Sequence, residues 1–243
     1  MKNSRLHKGK SIIDFPLSFT VIDIETTGLS PEYDEIIELS AVRIENGQTT
    51  CSFSSLVKPH PLPDGTYVDS YISDLTGITN DMLSTAPDID SILGDYIDFL
   101  GDTVLVGHNV NFDINFLYDF SELILSTPLS NNFVDTMRIS RRLHPEFQHH
   151  RLSDLCKRYS IEHSNAHRSL SDCEATVKCF FSLQEDMLNN YGSLESFVKN
   201  RCTSKKRSLR AADITAQTED INPFNPLYNN VFVFTGVLEK MTR

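Results

Sequence analysis

The stretch that decides the fold is FTVIDIETTG, residues 19–28, in which two carboxylates interrupt an apolar, β-branched run. Such a run is typical of a buried strand. Residues i and i+2 of a strand point to the same face, so Asp23 and Glu25 project side by side, roughly 6–7 Å apart at the backbone. Two acids on one face of a core strand are costly unless a positive charge meets them. A divalent cation is the natural candidate, so the stretch predicts a metal-dependent catalytic site.

The composition is that of a globular chain with one substantial domain and an appendage. The 243 residues are 40% hydrophobic and 23% charged, which is ordinary for such proteins. No apolar run is long enough for a membrane span, and residues 1–16 do not read as a signal peptide. The five cysteines form no CxxC pair. We therefore expect a reduced, cytoplasmic chain without a membrane partner, rather than a disulfide or zinc framework.

The net charge of −11 argues against non-specific binding of nucleic acid, but the basic residues are clustered. One basic band comprises Arg138, Arg141, Arg142, Arg151, Lys157 and Arg158, and a second lies within residues 199–210. Either band is compatible with solvated helix faces. The first is also compatible with a sequence-independent, salt-sensitive attraction to phosphates.

Hydrophobic patterning predicts a sheet followed by helices. Strands are expected over residues 18–24, 36–44 and 51–57, with the last two joined at Asn46-Gly47, a strong hairpin signal. A further short strand is expected over 103–107. The predicted helices span residues 79–84, 88–100, 110–125, 135–143, 151–159 and 169–189. Three hairpin strands followed by helices and a short strand predict an α/β fold, a mixed sheet with helices packed on it.

Two further clusters carry chemistry, GHNVNFD at residues 107–113 and HRSLSD at residues 167–172. Singly, each is weak, because an Asp near a helix start is more often a cap than a ligand, and a lone histidine is more often packed or solvated. The spacing does not place His167 and Asp172 on one face of a regular helix. We expect His167 before the helix or in its first turn and Asp172 within it.

Taken together, in this order, the three clusters resemble the motifs of the DEDDh subgroup of DnaQ-like 3′–5′ exonucleases. Residues 23–29 resemble the first motif, residues 108–113 the second and residues 167–172 the third. Two connecting segments, at residues 37–41 and 75–79, also match. The resemblance covers about residues 18–185.

The resemblance implies an RNase-H-like fold with a central mixed five-stranded sheet flanked by helices. It also implies two divalent ions, Mg²⁺ or Mn²⁺. Asp23, Glu25 and Asp172 would bind the first ion, and Asp23 and Asp113 the second. His167 would be the general base. The substrate would be single-stranded DNA or DNA 3′ ends, and the process replication proofreading or repair.

Substrate contacts are expected beside the acids. The backbone of Thr26, Thr27 and Gly28 could approach the terminal nucleotide, since glycine permits close contact. His108 and Phe112 are candidates for the same pocket. Phe112 could stack on a base or simply pack its own helix, and both readings stay open.

The expected domains are an extension over residues 1–17, an exonuclease domain over 18–190, a linker over 191–227 and a truncated BRCT-like start over 228–243. The last segment resembles the opening strand and turn of a BRCT domain, which would bind a polymerase or repair partner. The alternative is a strand that completes the exonuclease sheet.

Two other functions compete with a DNA exonuclease. The catalytic residues do not separate DNA from RNA, so a 3′–5′ exoribonuclease of the same superfamily is the first alternative. The second is a non-catalytic scaffold or adaptor. The five intact motif residues speak against the scaffold, although fold alone would not.

Overall fold

The structure is a computed structural model that describes residues 5–163 and 168–200, all within one compact unit, Met1–Cys202. Its centre is a mixed six-stranded sheet in the order β1-β6-β5-β2-β3-β4. The strands are β1 (Ser11–Ile12), β2 (Phe19–Thr26), β3 (Ile36–Glu45), β4 (Gln48–Leu56), β5 (Leu105–Gly107) and β6 (Phe133–Asp135). The predicted α/β architecture is confirmed.

The predicted hairpin is present. Strands β2, β3 and β4 pair antiparallel in succession. The β3–β4 turn places Asn46 at φ 52° and Gly47 at φ 79°. Both residues thus lie in the left-handed region that tight hairpin turns require, which Asn-Gly adopts at low cost.

The implied count of five strands was wrong by one. Strand β5 runs parallel to β2, β6 runs parallel to β5, and β1 adds parallel to β6. Strands of two or three residues show no hydrophobic period, so the pairing of β1 and β6 leaves no sequence signal.

Eight α-helices lie within the described residues. They are α1 (Ser70–Thr76), α2 (Asn80–Ser84), α3 (Ile89–Leu100), α4 (Asn111–Leu125), α5 (Thr136–Leu143), α6 (Leu152–Arg158), α7 (Ser169–Tyr191) and α8 (Leu194–Lys199). Six follow the predicted helices closely. None of the helices in the described ranges combines the length and apolar character needed to cross a bilayer.

Strand β2 divides the core into two layers. Phe19 and Val21 pack with residues of α5, α6, α7 and α8, whereas Ile22 and Ile24 pack with residues of α3 and α4 on the opposite face. This alternation follows from the period of two in a strand. It directs the odd-numbered residues of β2 toward the layer that contains α7.

Both ends of the described chain pack onto the domain beyond the expected boundaries. The segment before β2 contributes β1, and Arg5 forms an ion pair with Asp119 on α4 at 2.5 Å. After residue 190, helix α8 buries Phe197 completely, and its ring lies 5.0 Å from that of Tyr191. Part of the expected extension and part of the expected linker therefore belong to the fold. The BRCT-like segment lies outside the described residues.

Candidate metal-binding active site

The two acids of the opening stretch lie near the end of β2, between β5 and β3. Asp23 pairs in register with Ser40 of β3, and Glu25 pairs with Glu38. Two residues apart on one strand, the acids share a face with Val21, whose side chain packs in the layer that contains α7. Their carboxylates are thus presented toward the beginning of that helix.

Helix α7 carries the third carboxylate of the cluster. Asp172 lies in the first turn of α7 and is 9% exposed. Its carboxylate comes within 4.8 Å of those of both Asp23 and Glu25, measured between one oxygen of each. The fold thus brings Asp172 of the helix close to two acids of the strand that lie far from it in the sequence. This is an arrangement of hard oxygen ligands that suits a divalent cation.

The fourth acid arrives through the turn between β5 and α4. Asp113 lies in the first turn of α4, is 5% exposed, and accepts a hydrogen bond from the backbone N–H of Ile24 at 3.1 Å. The turn is tight, because a Cβ on Gly107 would lie 2.5 Å from Val110, and Asn109 has φ 61°. The bond ties Asp113 to the residue between Asp23 and Glu25.

The acids are held at an electrostatic cost. Burial, followed by repulsion from Asp113, Asp172, Glu25 and Glu38, raises the pKa of Asp23 well above its usual range. Burial and repulsion from neighbouring acids raise the pKa of Glu25 to about 8. Burial raises the pKa of Asp113 to about 8, against the effect of its backbone hydrogen bonds. Such a cluster favours either protons or a cation.

A histidine that the motif analysis overlooked contacts the cluster. The Nε2 atom of His163 forms a short hydrogen bond with Oδ1 of Asp172. No sequence spacing distinguishes His163 from the other histidines, so only the folded arrangement identifies it. His167, which the motif comparison assigns as general base, lies outside the described residues.

The residues after Glu25 form a compact turn. The hydroxyl of Thr26 donates to the carbonyl of Gly28 at 2.6 Å, and the backbone N–H of Glu35 donates to the hydroxyl of Thr27 at 2.9 Å. A Cβ on Gly28 would lie 2.4 Å from the Asp34 carboxylate. The absence of a side chain at Gly28 therefore has a structural reason within the protein.

His108 and Phe112 both have partners within the protein. Nδ1 of His108 lies 2.9 Å from the Thr136 hydroxyl and Nε2 lies 2.9 Å from the carbonyl of His150. Burial lowers the pKa of His108, and the Thr136 hydroxyl that contacts its Nδ1 also lies 3.1 Å from the carbonyl of Gly107. Phe112 is half-buried, with its ring 4.9 Å from that of Phe116.

Several arginines of the first basic band also bind protein groups. Arg138 donates to the carbonyl and hydroxyl of Ser11. Arg142 donates to the carbonyl of Phe197 at 2.7 Å and lies over its ring. Arg158 lies over the ring of Phe147. These contacts secure β1, α8 and the loop after α5, so much of the band stabilises the fold.

With this geometry in place, comparison with known proteins identifies the family. The chain matches the family described as Exonuclease, RNase_T, over residues 20–180. It is 39% identical over 170 residues to the PolC-type DNA polymerase III of Bacillus subtilis (strain 168), an alignment that covers 70% of this chain but 12% of the polymerase. The chain thus spans a small part of that relative.

Solved structures share the fold. Exonuclease X in complex with 5′-overhanging duplex DNA superposes with a TM-score of 0.55 at 24% identity, over 74% of this chain and 98% of that one. The nuclease domain of 3′hExo, a DEDDh member bound to rAMP, superposes with a TM-score of 0.58 at 18% identity, over 74% and 95%. The family match spans more than half of the residues of this chain. The chain therefore belongs to the exonuclease family RNase_T of DnaQ-like nucleases.

Proposed function

We propose that this chain is a metal-dependent 3′–5′ exonuclease that hydrolyses DNA from its 3′ end to nucleoside 5′-monophosphates. The observation that carries the proposal is the convergence of Asp23, Glu25 and Asp172 within 4.8 Å. Asp113, bonded to the strand between the first two, is the fourth acid. Carboxylates from three elements could hold the divalent ions that stabilise the attacking and leaving oxygens in phosphodiester hydrolysis.

The chemistry of the four acidic side chains is suited to binding two divalent cations. All the donors are carboxylates, which Mg²⁺ and Mn²⁺ prefer. Burial is the main cause of the raised pKa values of Asp23, Glu25 and Asp113, and a bound cation would offset the cost of holding these acids ionised. Asp23, Glu25 and Asp172 would hold one ion, and Asp23 with Asp113 the other. When bound, the pair would stabilise charge on the attacking and leaving oxygens.

The remaining roles are assigned from the motifs. His167 would accept the proton of the attacking water, since an unperturbed imidazole titrates near pH 6.5. The backbone of residues 26–28 would approach the 3′-terminal nucleotide. Phe112 would lie beside that pocket. His108, whose ring nitrogens both contact protein groups, would support the pocket through Thr136 rather than bind the nucleotide directly.

DNA is the substrate that the comparisons favour. The similar polymerase from Bacillus subtilis is a DNA polymerase, and exonuclease X was solved with duplex DNA. Similarity to a DNA polymerase also supports proofreading with a polymerase partner. The likeness to 3′hExo bound to rAMP favours a second candidate, an exoribonuclease of the same fold. The BRCT-like segment over 228–243 remains a sequence-based candidate for partner binding.

A ladder assay tests the proposal. Single-stranded DNA and RNA of one sequence, labelled at the 5′ end, are incubated with the full chain and Mn²⁺. We expect stepwise shortening from the 3′ end, release of 5′-monophosphates, and faster degradation of DNA. Asp23→Ala and His167→Ala should each lower turnover by at least about a thousandfold, whereas Asp90→Ala, an exposed acid on α3, should not.

Three results would contradict parts of this proposal. Equal activity in wild type and Asp23→Ala would identify a contaminating nuclease. Full activity in His167→Ala would remove the proposed base. Faster degradation of RNA would reverse the substrate assignment.

A further inference from the structure

A fifth acid, which is itself buried, lies beside the four of the proposed site. Glu38 of β3 is 2% exposed and pairs in register with Glu25 on β2. A buried carboxylate is costly unless it is hydrogen-bonded and paired with a cation. Glu38 meets both conditions, and both of its partners come from the beginning of α7.

The partners of Glu38 are two consecutive residues. Arg168 donates from Nη2 to Oε1 at 2.8 Å and from Nε to the same oxygen at 3.3 Å. The backbone N–H of Ser169 donates to Oε2 at 2.9 Å. Oε1 thus faces the guanidinium, whereas Oε2 accepts the Ser169 N–H and also lies 3.5 Å from Nε of Arg168. One side chain of the sheet therefore fixes the position of two residues of the helix.

Glu38 acts as a cap supplied from another element. The N-cap residue of α7, Arg168, makes no capping hydrogen bond with its own side chain. The Glu38 carboxylate instead accepts the N–H of the first helical residue, Ser169. A negative charge there also interacts favourably with the helix dipole. The Ser169 hydroxyl adds a second attachment, donating to the Ser40 hydroxyl of β3 at 2.7 Å.

This attachment lies one turn before the metal-ligand candidate on α7. The backbone N–H of Asp172 donates to the carbonyl of Arg168 at 3.0 Å, so the two residues are joined within the first helical turn. A shift of Arg168 and Ser169 away from β3 would therefore move Asp172 away from Asp23 and Glu25. Arg168 also offsets part of the negative charge around Glu25.

We propose that Glu38, together with Arg168, is a positioning residue that fixes the first turn of α7 and so holds Asp172 against the acids of β2. The inference rests on the proposed nuclease function for its catalytic consequence. Its structural part, the attachment of α7 to β3, does not depend on that function. Glu38 itself is not assigned to substrate or metal.

Variants of the full chain test the proposal, beginning with two changes at Glu38 and one control. Glu38→Ala removes both attachments. Glu38→Gln keeps the shape, but it removes the charge and turns an amide NH₂ donor toward either Ser169 or Arg168, which then lacks an acceptor. Asp119→Ala, a change on α4, removes another part-buried ion pair, the one between Asp119 and Arg5, and serves as the matched control. Folding of each variant is checked by thermal melting.

The first readout is amide hydrogen exchange in EDTA, without nucleic acid. We expect the amides of residues 169–173 to exchange faster in Glu38→Ala, with a smaller increase in Glu38→Gln. Exchange in the other helices of these two variants should stay unchanged. In the Asp119→Ala control, residues 169–173 should exchange as in the wild type. Because this readout involves neither metal nor catalysis, it separates failure of the positioning proposal from failure of the proposed nuclease function.

The second readout is Mn²⁺ affinity, measured by electron paramagnetic resonance of the free ion. Loss of a group that orients a ligand typically weakens metal binding about 10- to 100-fold, and we expect a loss in that range for Glu38→Ala and a smaller one for Glu38→Gln. In the ladder assay, kcat should fall while KM for DNA stays near its wild-type value. Arg168→Ala combined with Glu38→Ala should be no worse than the more damaging single variant, since both act through one attachment.

Unchanged exchange of residues 169–173 in folded Glu38→Ala would overturn the proposal, as would wild-type Mn²⁺ affinity in that variant. If Glu38→Ala does not fold, the same two measurements on Glu38→Gln decide, and wild-type values there would overturn the proposal. Fully additive effects of Glu38→Ala and Arg168→Ala would also contradict a shared attachment.

Discussion

The carboxylate of Asp113 accepts a hydrogen bond from the backbone N–H of Ile24 at 3.1 Å, although the two residues are 89 positions apart. Ile24 lies between Asp23 and Glu25, so this bond fixes the start of α4 against the strand that carries both acids. Asp113 thus combines two functions. Its charge contributes to the acidic cluster, and its oxygen satisfies a buried backbone donor.

These two functions of Asp113 can be separated by substitution. Asp113→Asn keeps an acceptor for the Ile24 N–H and removes the charge, whereas Asp113→Ala removes both. We expect both variants to lose nuclease activity by at least about a hundredfold. In EDTA, Asp113→Asn should be at least as stable as wild type, because repulsion within the cluster falls. Asp113→Ala should lose about 1–3 kcal/mol, the cost of an unsatisfied buried donor.

Urea unfolding in EDTA and the ladder assay together measure these differences. An Asp113→Asn protein with wild-type turnover would exclude Asp113 as a metal ligand. Equal stability of the Asn and Ala variants would show that the bond to Ile24 contributes little to folding.

The raised pKa values predict an unusual dependence of stability on pH. In the folded protein the pKa of Glu25 and of Asp113 is about 8, whereas both acids titrate near pH 4 in an unfolded chain. Between these values the folded state binds more protons than the unfolded state, so stability is lost as the pH rises. We expect the Tm in EDTA to fall from about pH 5 to about pH 9.

Bound cations should reverse this dependence. Saturating Mn²⁺ replaces the protons, so it should raise the Tm most at the alkaline end of the range. The double variant Asp113→Asn with Glu25→Gln should show a flatter Tm profile in EDTA. A wild-type Tm in EDTA that rises between pH 5 and pH 9, or one that Mn²⁺ leaves unchanged, would contradict the electrostatic account of the site.

The sequence predicted the long elements and the approach of Asp23 and Asp172. It did not predict the strand pairings that distant residues decide. Strand β2 and helix α7 are long enough to show their periods, and the order of the motifs indicated that Asp23 and Asp172 meet. The two-residue strand β1 has no period, because parallel pairing with β6 alone defines it. Propensity cannot reveal such a partner.

The contacts of individual side chains could not be predicted from the sequence either. Glu38 reads as one acid within a strand, and only the fold places Arg168 and Ser169 against it. Gly28 suggests close approach of a ligand, yet the Asp34 carboxylate occupies the space beside it. The type of a residue predicts that it needs a cation beside it or space around it. It does not predict which other residue provides that cation or fills that space.

The packing of α8 predicts that the stable domain extends past residue 190. Phe197 is fully buried against Tyr191, and Arg142 covers its ring. Phe197→Ala should cost about 3–5 kcal/mol, as for other large-to-small changes in a core. Val198→Ala, at a position on the same helix that is 44% exposed, should cost less than about 1 kcal/mol. Urea unfolding measures the free energy of unfolding of both variants. Equally small losses in the two would show that α8 contributes little to the stability of the domain.

The last prediction compares Gly107, at the turn before α4, with Gly94 in α3. Substitution by alanine should change the stability of the fold in opposite directions at the two positions. A Cβ at Gly107 would lie 2.5 Å from Cγ2 of Val110 and 3.0 Å from the carbonyl of Ile22, whereas a Cβ at Gly94 in α3 would meet nothing within 4 Å. Gly107→Ala should therefore destabilise the fold by about 1–3 kcal/mol. Gly94→Ala should stabilise it by about 0.5–1 kcal/mol, since alanine loses less backbone entropy in a helix.

Because Gly107 ends β5 and Asp113 lies in the first turn of the helix that follows, the strain of Gly107→Ala should also reach the site. We expect weaker Mn²⁺ binding and slower DNA hydrolysis in Gly107→Ala at a temperature where it is fully folded, and wild-type values in Gly94→Ala. If Gly107→Ala lost stability but kept wild-type Mn²⁺ affinity, the turn would determine folding without determining the position of Asp113.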